Sequence, residues 1–313
     1  MRNEGAAKAA LKSPSPAEPT VAPADARPAA WLAGMPALFV AIWSTGFVVA
    51  RLGMPHAPPL SFLALRFALS ALCLLGWALW VGARWPQGRG QWFHLAVLGA
   101  LMHAGYLGAG WAAVKQGLGA GTMSLIAGLQ PVLTAVYLSL RPTQARLSGA
   151  QWAGLGLGTI GLVLVVWRKL GLGEASALNL SLGFAALMFI TVAALYQQRF
   201  VRPCDSRTAL CVQMLAACLL MAPLGLLEGE AMDWVPALYA ALGWSVLGLT
   251  LGGSSLLYLM LQRGAATRVT SLMYLVPPCA AMLSWMLFGE QLGAAVWLGM
   301  GLSAAGVYLV IRR

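Results

Sequence analysis

Residues 234–262 read WVPALYAALGWSVLGLTLGGSSLLYLMLQ, a run without a single charged side chain. A helix rises about 1.5 Å per residue, so about 20 apolar residues cross a hydrocarbon core that is roughly 30 Å thick. The apolar residues in this run are continuous rather than alternating, which favours a helix over a strand of a membrane barrel. The run is therefore predicted to be a transmembrane α-helix.

Charge-free runs of similar length recur along the rest of the chain. Only 9% of the residues are charged and 60% are hydrophobic, whereas a soluble domain carries about 25% charged residues. A further run, from about residue 60 to 83, is interrupted once, by Arg66. The sequence predicts an all-α integral membrane protein with ten transmembrane helices and excludes a soluble domain. The other runs are 28–50, 90–114, 116–140, 147–167, 175–198, 208–227, 269–289 and 291–311.

The basic residues are distributed unevenly between the predicted loops. If the N-terminus is cytoplasmic, fifteen of the 20 Lys and Arg residues lie on the inner side, four lie outside, and Arg66 is the remaining one. This bias follows the positive-inside rule, and it accounts for the net charge of +11 without a nucleic-acid partner. We expect a multi-pass protein of the inner membrane with both termini in the cytoplasm. Residues 1–28, rich in Ala and Pro, are predicted to be a disordered cytoplasmic tail.

The chain contains an internal repeat. Pro131 recurs as Pro277 after 146 residues, and Arg66 corresponds to Gln213 after 147. Each half has five predicted spans, which is an odd number. The second half therefore starts on the opposite side of the membrane and must be inverted relative to the first. Inverted repeats are typical of secondary transporters, whose site lies near the midplane between the halves. Trp152, Gly154, Gly156 and Gly161 recur after 145 residues as Trp297, Gly299, Gly301 and Gly306.

Several short motifs resemble one family. They are 41–47 (AIWSTGF), 64–67 (ALRF), the paired prolines, and 288–290 (FGE) followed by Trp297. Together they resemble the EamA type of the drug/metabolite transporter superfamily, although residues 141–144 (RPTQ) replace the Gly-Glu in the first half. The resemblance implies two five-helix repeats, at 35–168 and 178–311, around a central cavity. It also implies alternating-access transport, in the export direction, of a small metabolite, amino acid or drug-like solute.

Arg66 is the sharpest functional signal in the sequence. A charge at the centre of a span costs about 2.5–3.5 kcal/mol on insertion scales. One interpretation is a structural anchor, because the side chain lies near the outer end of its span and can snorkel or clamp backbone carbonyls. The other interpretation is direct contact with an anionic group of the substrate.

Further candidates are polar and aromatic residues inside the spans. His103 and Tyr106 are three residues apart and share a helical face, so they can line a cavity, although a buried histidine can equally serve as an interhelical hydrogen-bonding group. Pro131, preceded by Gln130, and Pro277 with Pro278 are predicted to break their helices, either as hinges or as static kinks. The resemblance places these further residues around the cavity: Trp43, Tyr196, Gln197, Gln213, Tyr258 and Tyr274.

Other functions remain open from the sequence. A lipid-linked sugar flippase of the same superfamily would need cationic contacts for a phosphate, and a membrane scaffold would also use kinks and glycines. An intramembrane enzyme would need a catalytic constellation, and the sequence offers three histidines and no acid inside a predicted span. We predict no enzyme activity, no cofactor and no metal. The expected partners are a small-molecule substrate and the lipid bilayer.

Overall fold

The computed structural model describes residues 30–140, 148–171, 175–262, 275–290 and 293–311. Every regular element within these ranges is a helix, and two of the segments are π-helical, Ala100–Gly105 and Trp244–Gly253. The predicted all-α class is confirmed, and the predicted tail at 1–28 lies outside the described residues. The α-helices are α1 (Ala30–Gly53), α2 (Pro59–Trp80), α3 (Arg89–Gly99), α4 (Tyr106–Lys115), α5 (Ala120–Gly128), α6 (Gln130–Ser139), α7 (Gly149–Gly171), α8 (Ala177–Phe200), α9 (Ser206–Leu226), α10 (Pro236–Gly243), α11 (Ser254–Gln262), α12 (Val276–Phe288) and α13 (Ala294–Ile311).

Six helical stretches in the described part of the chain are long and apolar enough to cross a membrane. Two of them, Arg89–Lys115 and Pro236–Leu257, continue through a π-helical segment. Three more apolar helical stretches are shorter: Gly149–Val165, Val276–Phe288 and Ala294–Gly306. The number of ten spans stays a prediction.

Helices α7 and α13, which carry equivalent residues of the repeat, pack closely against each other. A Cβ atom on Gly306 would lie 2.5 Å from the Gly154 carbonyl oxygen, and one on Gly299 would lie 2.6 Å from the Gly161 carbonyl oxygen. Only glycine permits such an approach of two backbones. Because the order of the contacts is reversed, α7 and α13 run antiparallel. Gly301, which the sequence places with this group, would carry its Cβ into open space.

Helices α2 and α9 form a second pair of equivalent, antiparallel helices. The Ser61 hydroxyl donates to the Gly225 carbonyl oxygen at 2.9 Å near one end, and the Cys211 thiol donates to the Ala71 carbonyl oxygen at 3.5 Å further along. The Glu228 carboxylate accepts from the backbone N–H groups of Leu60 and Ser61 at 3.0 and 2.8 Å. These bonds satisfy free donors in the first turn of α2.

The helices are irregular near the middle of the bundle. The two π-helical segments occupy equivalent positions, since residues 100–105 shifted by 147, the shift that relates Arg66 to Gln213, fall within 244–253. The chain is also broken at Leu129, between α5 and α6, and Pro131 is the second residue of α6. Pro277 and Pro278 lie in the first turn of α12, where a missing N–H leaves no helical bond unmade.

Charged contacts differ between the two ends of the bundle. At one end, named here the ion-paired end, Arg51 in the last turn of α1 contacts Glu290 after α12 at 2.5 Å. At the same end Lys115 at the end of α4 contacts Glu230 at 2.6 Å. At the opposite end, the described ion pair is local, between Asp205 and Arg207 at 2.7 Å.

Candidate functional site

A cavity of about 390 Å³ lies among the two π-helical segments and the α-helices that surround them, which are α1, α2, α4, α5, α6, α8, α9, α11 and α12. Volumes of about 300–1,000 Å³ are typical of small-molecule sites. The polar residues in its lining include Ser44, Arg66, His103, Tyr106, Ser124, Gln130, Thr250 and Ser254. Its apolar residues include Trp43, Phe47, Met102, Leu107, Trp111, Pro131, Ile190, Met214, Leu249, Val276 and Pro277.

Arg66 is buried in the wall of this cavity. Only 6% of the surface of Arg66 is exposed, and its Nε atom has no hydrogen-bond partner among the described residues. The guanidinium lies over the ring of Trp111, 5.5 Å from the centroid, and Trp111 in turn stacks on Phe62 at 5.1 Å. A cation–π contact contributes about 2 kcal/mol when desolvated, whereas burying a cation costs several kcal/mol. The ring therefore offsets only part of the cost of this charge.

Ser44 also contributes an unsatisfied polar atom. Its residue is 1% exposed, and its Oγ atom has no hydrogen-bond partner within the described chain. Most buried polar atoms in folded proteins are paired, so each exception needs a reason. Ser44 and Arg66 come from different helices and line the same cavity. Both residues belong to the cavity wall, and each contains a buried polar atom that no group of the described chain satisfies.

His103 lies in the first π-helical segment and lines the cavity. Its Nε2 atom is 3.3 Å from the Gln213 Oε1 atom. The two groups form a hydrogen bond in the tautomer that carries its proton on Nε2, because an amide oxygen can only accept. Its ring also makes an edge contact with Phe67, with centroids 6.1 Å apart. One π-helical turn is a frequent feature of functional sites.

Thr250 is the repeat equivalent of His103, because the two are 147 residues apart, as are Arg66 and Gln213. Thr250 lies in the second π-helical segment and also lines the cavity. Its hydroxyl donates to the Ser245 carbonyl oxygen five residues earlier, at 3.0 Å, and accepts from Ser70 at 3.3 Å. Equivalent irregular turns from the two halves therefore meet at one cavity.

The structure brings together many of the predicted site residues. Gln213 is 7% exposed and joins the site through its bond to His103. Pro277 lines the cavity, and Pro278 follows it in α12. Whether any of these residues contacts a substrate stays a prediction. Besides Pro277, the predicted residues in the cavity lining are Trp43, Arg66, His103, Tyr106, Gln130 and Pro131.

Of the other predicted residues, two lie away from the cavity and two lie outside the described residues, in whole or in their side chains. Tyr196 pairs with His94, whose Nδ1 atom is 2.7 Å from the tyrosine hydroxyl, and Gln197 is exposed. The side chain of Tyr258 and the whole of Tyr274 lie outside the described residues. Tyr196 and Gln197 sit in the last turns of α8, so they are too near the helix end to reach the middle of the bundle.

Some lining residues carry no strong signal in the sequence. Ser124, Thr250 and Ser254 are small polar residues of a kind that also serves helix packing. Thr250 could have been found through the repeat, because a shift of 147 pairs it with His103. Ser124 and Ser254 have no such mark. Trp111 is one of 13 tryptophans, and only the fold puts its ring under Arg66.

An all-helical bundle with apolar spans and an internal cavity at paired helical irregularities is the architecture of a membrane transporter. Comparison with known proteins agrees: the EamA-like transporter family matches residues 31–167 and again residues 178–312. The chain belongs to the EamA-like transporter family and contains two EamA-like regions.

Several relatives match along most of the chain. The uncharacterized inner membrane transporter YedA of Escherichia coli K12 is 26% identical over 278 residues, covering 88% of each chain. The probable amino-acid metabolite efflux pump of Salmonella typhimurium is 26% identical and covers 87% of this chain and 92% of its own. The probable terminal-alkyne amino-acid exporter of Streptantibioticus cattleyicolor is 27% identical, with 88% and 92% covered.

One solved crystal structure has the same fold. It superposes with a TM-score of 0.62 at 19% sequence identity, and it covers 88% of this chain and 95% of its own. At that identity the likeness concerns the fold alone.

Proposed function

We propose that the protein is an inner-membrane secondary transporter that exports a small metabolite, amino acid or drug-like solute by alternating access. The observation that carries this proposal is the cavity at which the irregular turns of both halves meet. Secondary transporters bind substrate near the midplane, at the interface of repeats, where helices are interrupted. The export direction is supported by the names of two relatives, an amino-acid metabolite efflux pump and a terminal-alkyne amino-acid exporter.

The proposed architecture has ten transmembrane helices in two inverted five-helix repeats, at 35–168 and 178–311, with both termini in the cytoplasm. Two pairs of equivalent helices, α2 with α9 and α7 with α13, pack antiparallel, which supports an inverted relation. In this topology the ion-paired end is the outer one. A reporter fused after Arg313 should be active on the cytoplasmic side, and activity on the outer side alone would contradict the topology.

The transport function is tested by counterflow in proteoliposomes. Vesicles are preloaded with one unlabelled compound at a time, drawn from amino acids, their acylated derivatives, purine metabolites and cationic drugs, and entry of the labelled compound is followed. We expect saturable, protein-dependent accumulation for one chemical class. Folded protein that gives no counterflow across the whole panel would contradict a carrier.

Two glycines of α1 provide a matched pair of variants for this assay. A Cβ atom at Gly46 meets nothing within 4 Å, and Gly46 lines the cavity. A Cβ atom at Gly34 also meets nothing within 4 Å, but Gly34 is exposed on the surface of the same helix. Gly46→Trp should fill the cavity and abolish counterflow, whereas Gly34→Trp should leave it near the wild-type rate. Equal transport by both variants would dissociate the cavity from the solute path.

A further inference from the structure

We propose that the transported solute is an organic carboxylate that carries no cationic group, and that Arg66 and Ser44 hold its carboxylate. This inference rests on the proposed transport function and names its substrate class. The charge of the cavity wall is the first observation in its favour. Arg66 is the cation in the described lining, and the remaining polar residues there are neutral hydroxyl, amide, phenol and imidazole side chains. A solute of charge −1 neutralises this wall, whereas a zwitterion leaves it at +1.

The acids of the described chain are all engaged away from the cavity. Asp205 binds Arg207, and Glu290 binds Arg51. The other three are committed at the ion-paired end: Glu228 accepts from the start of α2, Glu230 binds Lys115, and Asp233 contacts His56. An ammonium or other cationic group in the solute would therefore find no carboxylate in the described cavity wall.

The unsatisfied atoms of the wall are suited to an anion. Arg66 can only donate hydrogen bonds, and its Nε–H has no acceptor among the residues described. Ser44 supplies a second group without a partner, its side-chain hydroxyl. Of the groups that could accept from an ammonium, the Thr250 hydroxyl already accepts from Ser70 at 3.3 Å.

The remainder of the wall favours an apolar body on this carboxylate. Trp43, Phe47, Trp111 and Met214 belong to the lining, and aromatic and thioether surfaces pack well against hydrocarbon or aromatic groups. A single guanidinium can form two parallel hydrogen bonds with one carboxylate. Its one positive charge balances a carboxylate but only half of a doubly charged phosphate. The proposed class is a monoanionic acid with an aliphatic or aromatic side chain, such as an N-acylated amino acid.

The test uses four compounds that share one side chain and differ in whether the amino group is acetylated and the carboxyl group is amidated, and therefore in charge. N-acetylphenylalanine is an anion, phenylalanine is a zwitterion, phenylalaninamide is a cation and N-acetylphenylalaninamide is neutral. The same four derivatives of leucine and methionine vary the body. Each is assayed for protection of the purified protein against thermal unfolding and for counterflow. We expect the anion to bind about 10-fold or more tightly than the neutral amide, because a hydrogen bond to a charged group contributes that much.

Variants of the two donors then locate the preference. Arg66→Gln should reduce the ratio of anion to neutral-amide affinity to about 1–3, and Arg66→Lys should restore part of it, since lysine keeps the charge but not the planar fork. Ser44→Ala should reduce the ratio less and should fold normally. The wild-type comparison needs no variant, so it stands even if Arg66→Gln does not fold.

The outcomes separate the inference from the function on which it rests. Preference for the zwitterion or the cation, with counterflow intact, would overturn the carboxylate assignment and leave the carrier standing. Equal affinity for the anion and the neutral amide would overturn it as well. Absence of binding and counterflow for every compound, here and in the wider panel, would count against the carrier itself.

Discussion

The two ends of the bundle are held together by different means. At the ion-paired end, Arg51 and Glu290 connect α1 to the segment after α12, and the same carboxylate accepts from the Ala120 N–H at the start of α5 at 3.1 Å. At the opposite end, the side chain of Gln91 donates to the Arg202 carbonyl oxygen at 2.9 Å, and Thr208 donates to the Arg84 carbonyl oxygen at 3.0 Å. Among the described residues, ion pairs connect the helices at one end. At the other end the described connections include neutral hydrogen bonds and a contact of Arg207 over the Trp77 ring, 5.7 Å from the centroid.

This difference matters for a carrier that exposes its cavity alternately to the two sides. Glu290 is buried, with 3% of its side chain exposed, so separation of its partners requires a new partner or water for the carboxylate. Neutral hydrogen bonds exchange with water at a small net cost of about 1 kcal/mol each. We expect the opposite end to open more easily than the ion-paired end.

The largest effect is expected from Arg51→Gln. This change leaves the buried Glu290 carboxylate with the Ala120 N–H and without its cation, and removal of one partner of a buried pair costs about 3–5 kcal/mol. The melting temperature in detergent should fall by roughly 10 °C. The reverse change, Glu290→Gln, should cost less, because the Arg51 side chain is 35% exposed and can reach water.

The double variant Arg51→Gln/Glu290→Gln serves as the control for this pair. It removes both charges, so it should be more stable than Arg51→Gln alone, and the double-mutant cycle should give a coupling free energy above about 1 kcal/mol. Additive effects of the two changes would mean that the ion pair does not fasten this end.

A smaller effect is expected from Lys115→Gln at the same end. The Lys115 and Glu230 side chains are 22% and 48% exposed, and exposed pairs contribute about 0.2–1 kcal/mol. The loss should also shrink in high salt, because salt screens exposed charges. Thermal unfolding of both proteins in 50 mM and 1 M NaCl measures this; a loss as large as that of Arg51→Gln would contradict the ranking.

The smallest effect is expected at the opposite end, from Asp205→Asn. The hydrogen bond from the Arg207 side chain lowers the pKa of the Asp205 carboxyl below its usual value, and the carboxylate also caps α9. Asparagine caps a helix about as well as aspartate, so at pH 7 we expect a loss below about 1 kcal/mol.

The sign of the pH dependence follows from the lowered pKa. A carboxyl whose pKa is lower in the folded protein stabilises it above the unfolded value of about 3.9 and loses this contribution as the pH falls through the folded value. The difference between wild type and Asp205→Asn should therefore be constant from pH 7 to 5 and decrease below pH 4. Melting curves across this range check it, and an increasing difference at low pH would contradict the assignment.

Much of the fold could be predicted from the sequence because lipid leaves few alternatives. Long charge-free runs must be helices, and the all-α class followed from that rule. The shared glycine spacing revealed the repeat, but it predicted neither the contact of α7 with α13 nor the glycines that form it: Gly299 and Gly306 face α7, whereas Gly301 faces away. The rotation of the helix about its own axis decides which small residue meets the partner, and composition does not fix that rotation.

The candidate site was predictable in part. Arg66 stands out in a span because its charge is costly, but its surroundings depend on Trp111, 45 residues later in the chain. Glu290, in contrast, does not stand out in the sequence. A carboxylate between two apolar runs is typical of an exposed loop, but in the structure this one is buried beside Arg51. Partners that are distant in sequence decide both cases, and no local pattern encodes them.

The crossing of α7 and α13 also bears on how such a chain could have arisen. Gly154 meets Gly306 and Gly161 meets Gly299, and each contact joins residues whose equivalents form the other contact. Ser303 donates to the carbonyl oxygen of Gly158, its own equivalent 145 residues earlier. A surface that is complementary to its own equivalent is the isologous interface of a two-fold homodimer. Duplication of a protein with one EamA-like region that dimerised through this face would leave this symmetry in the joined chain.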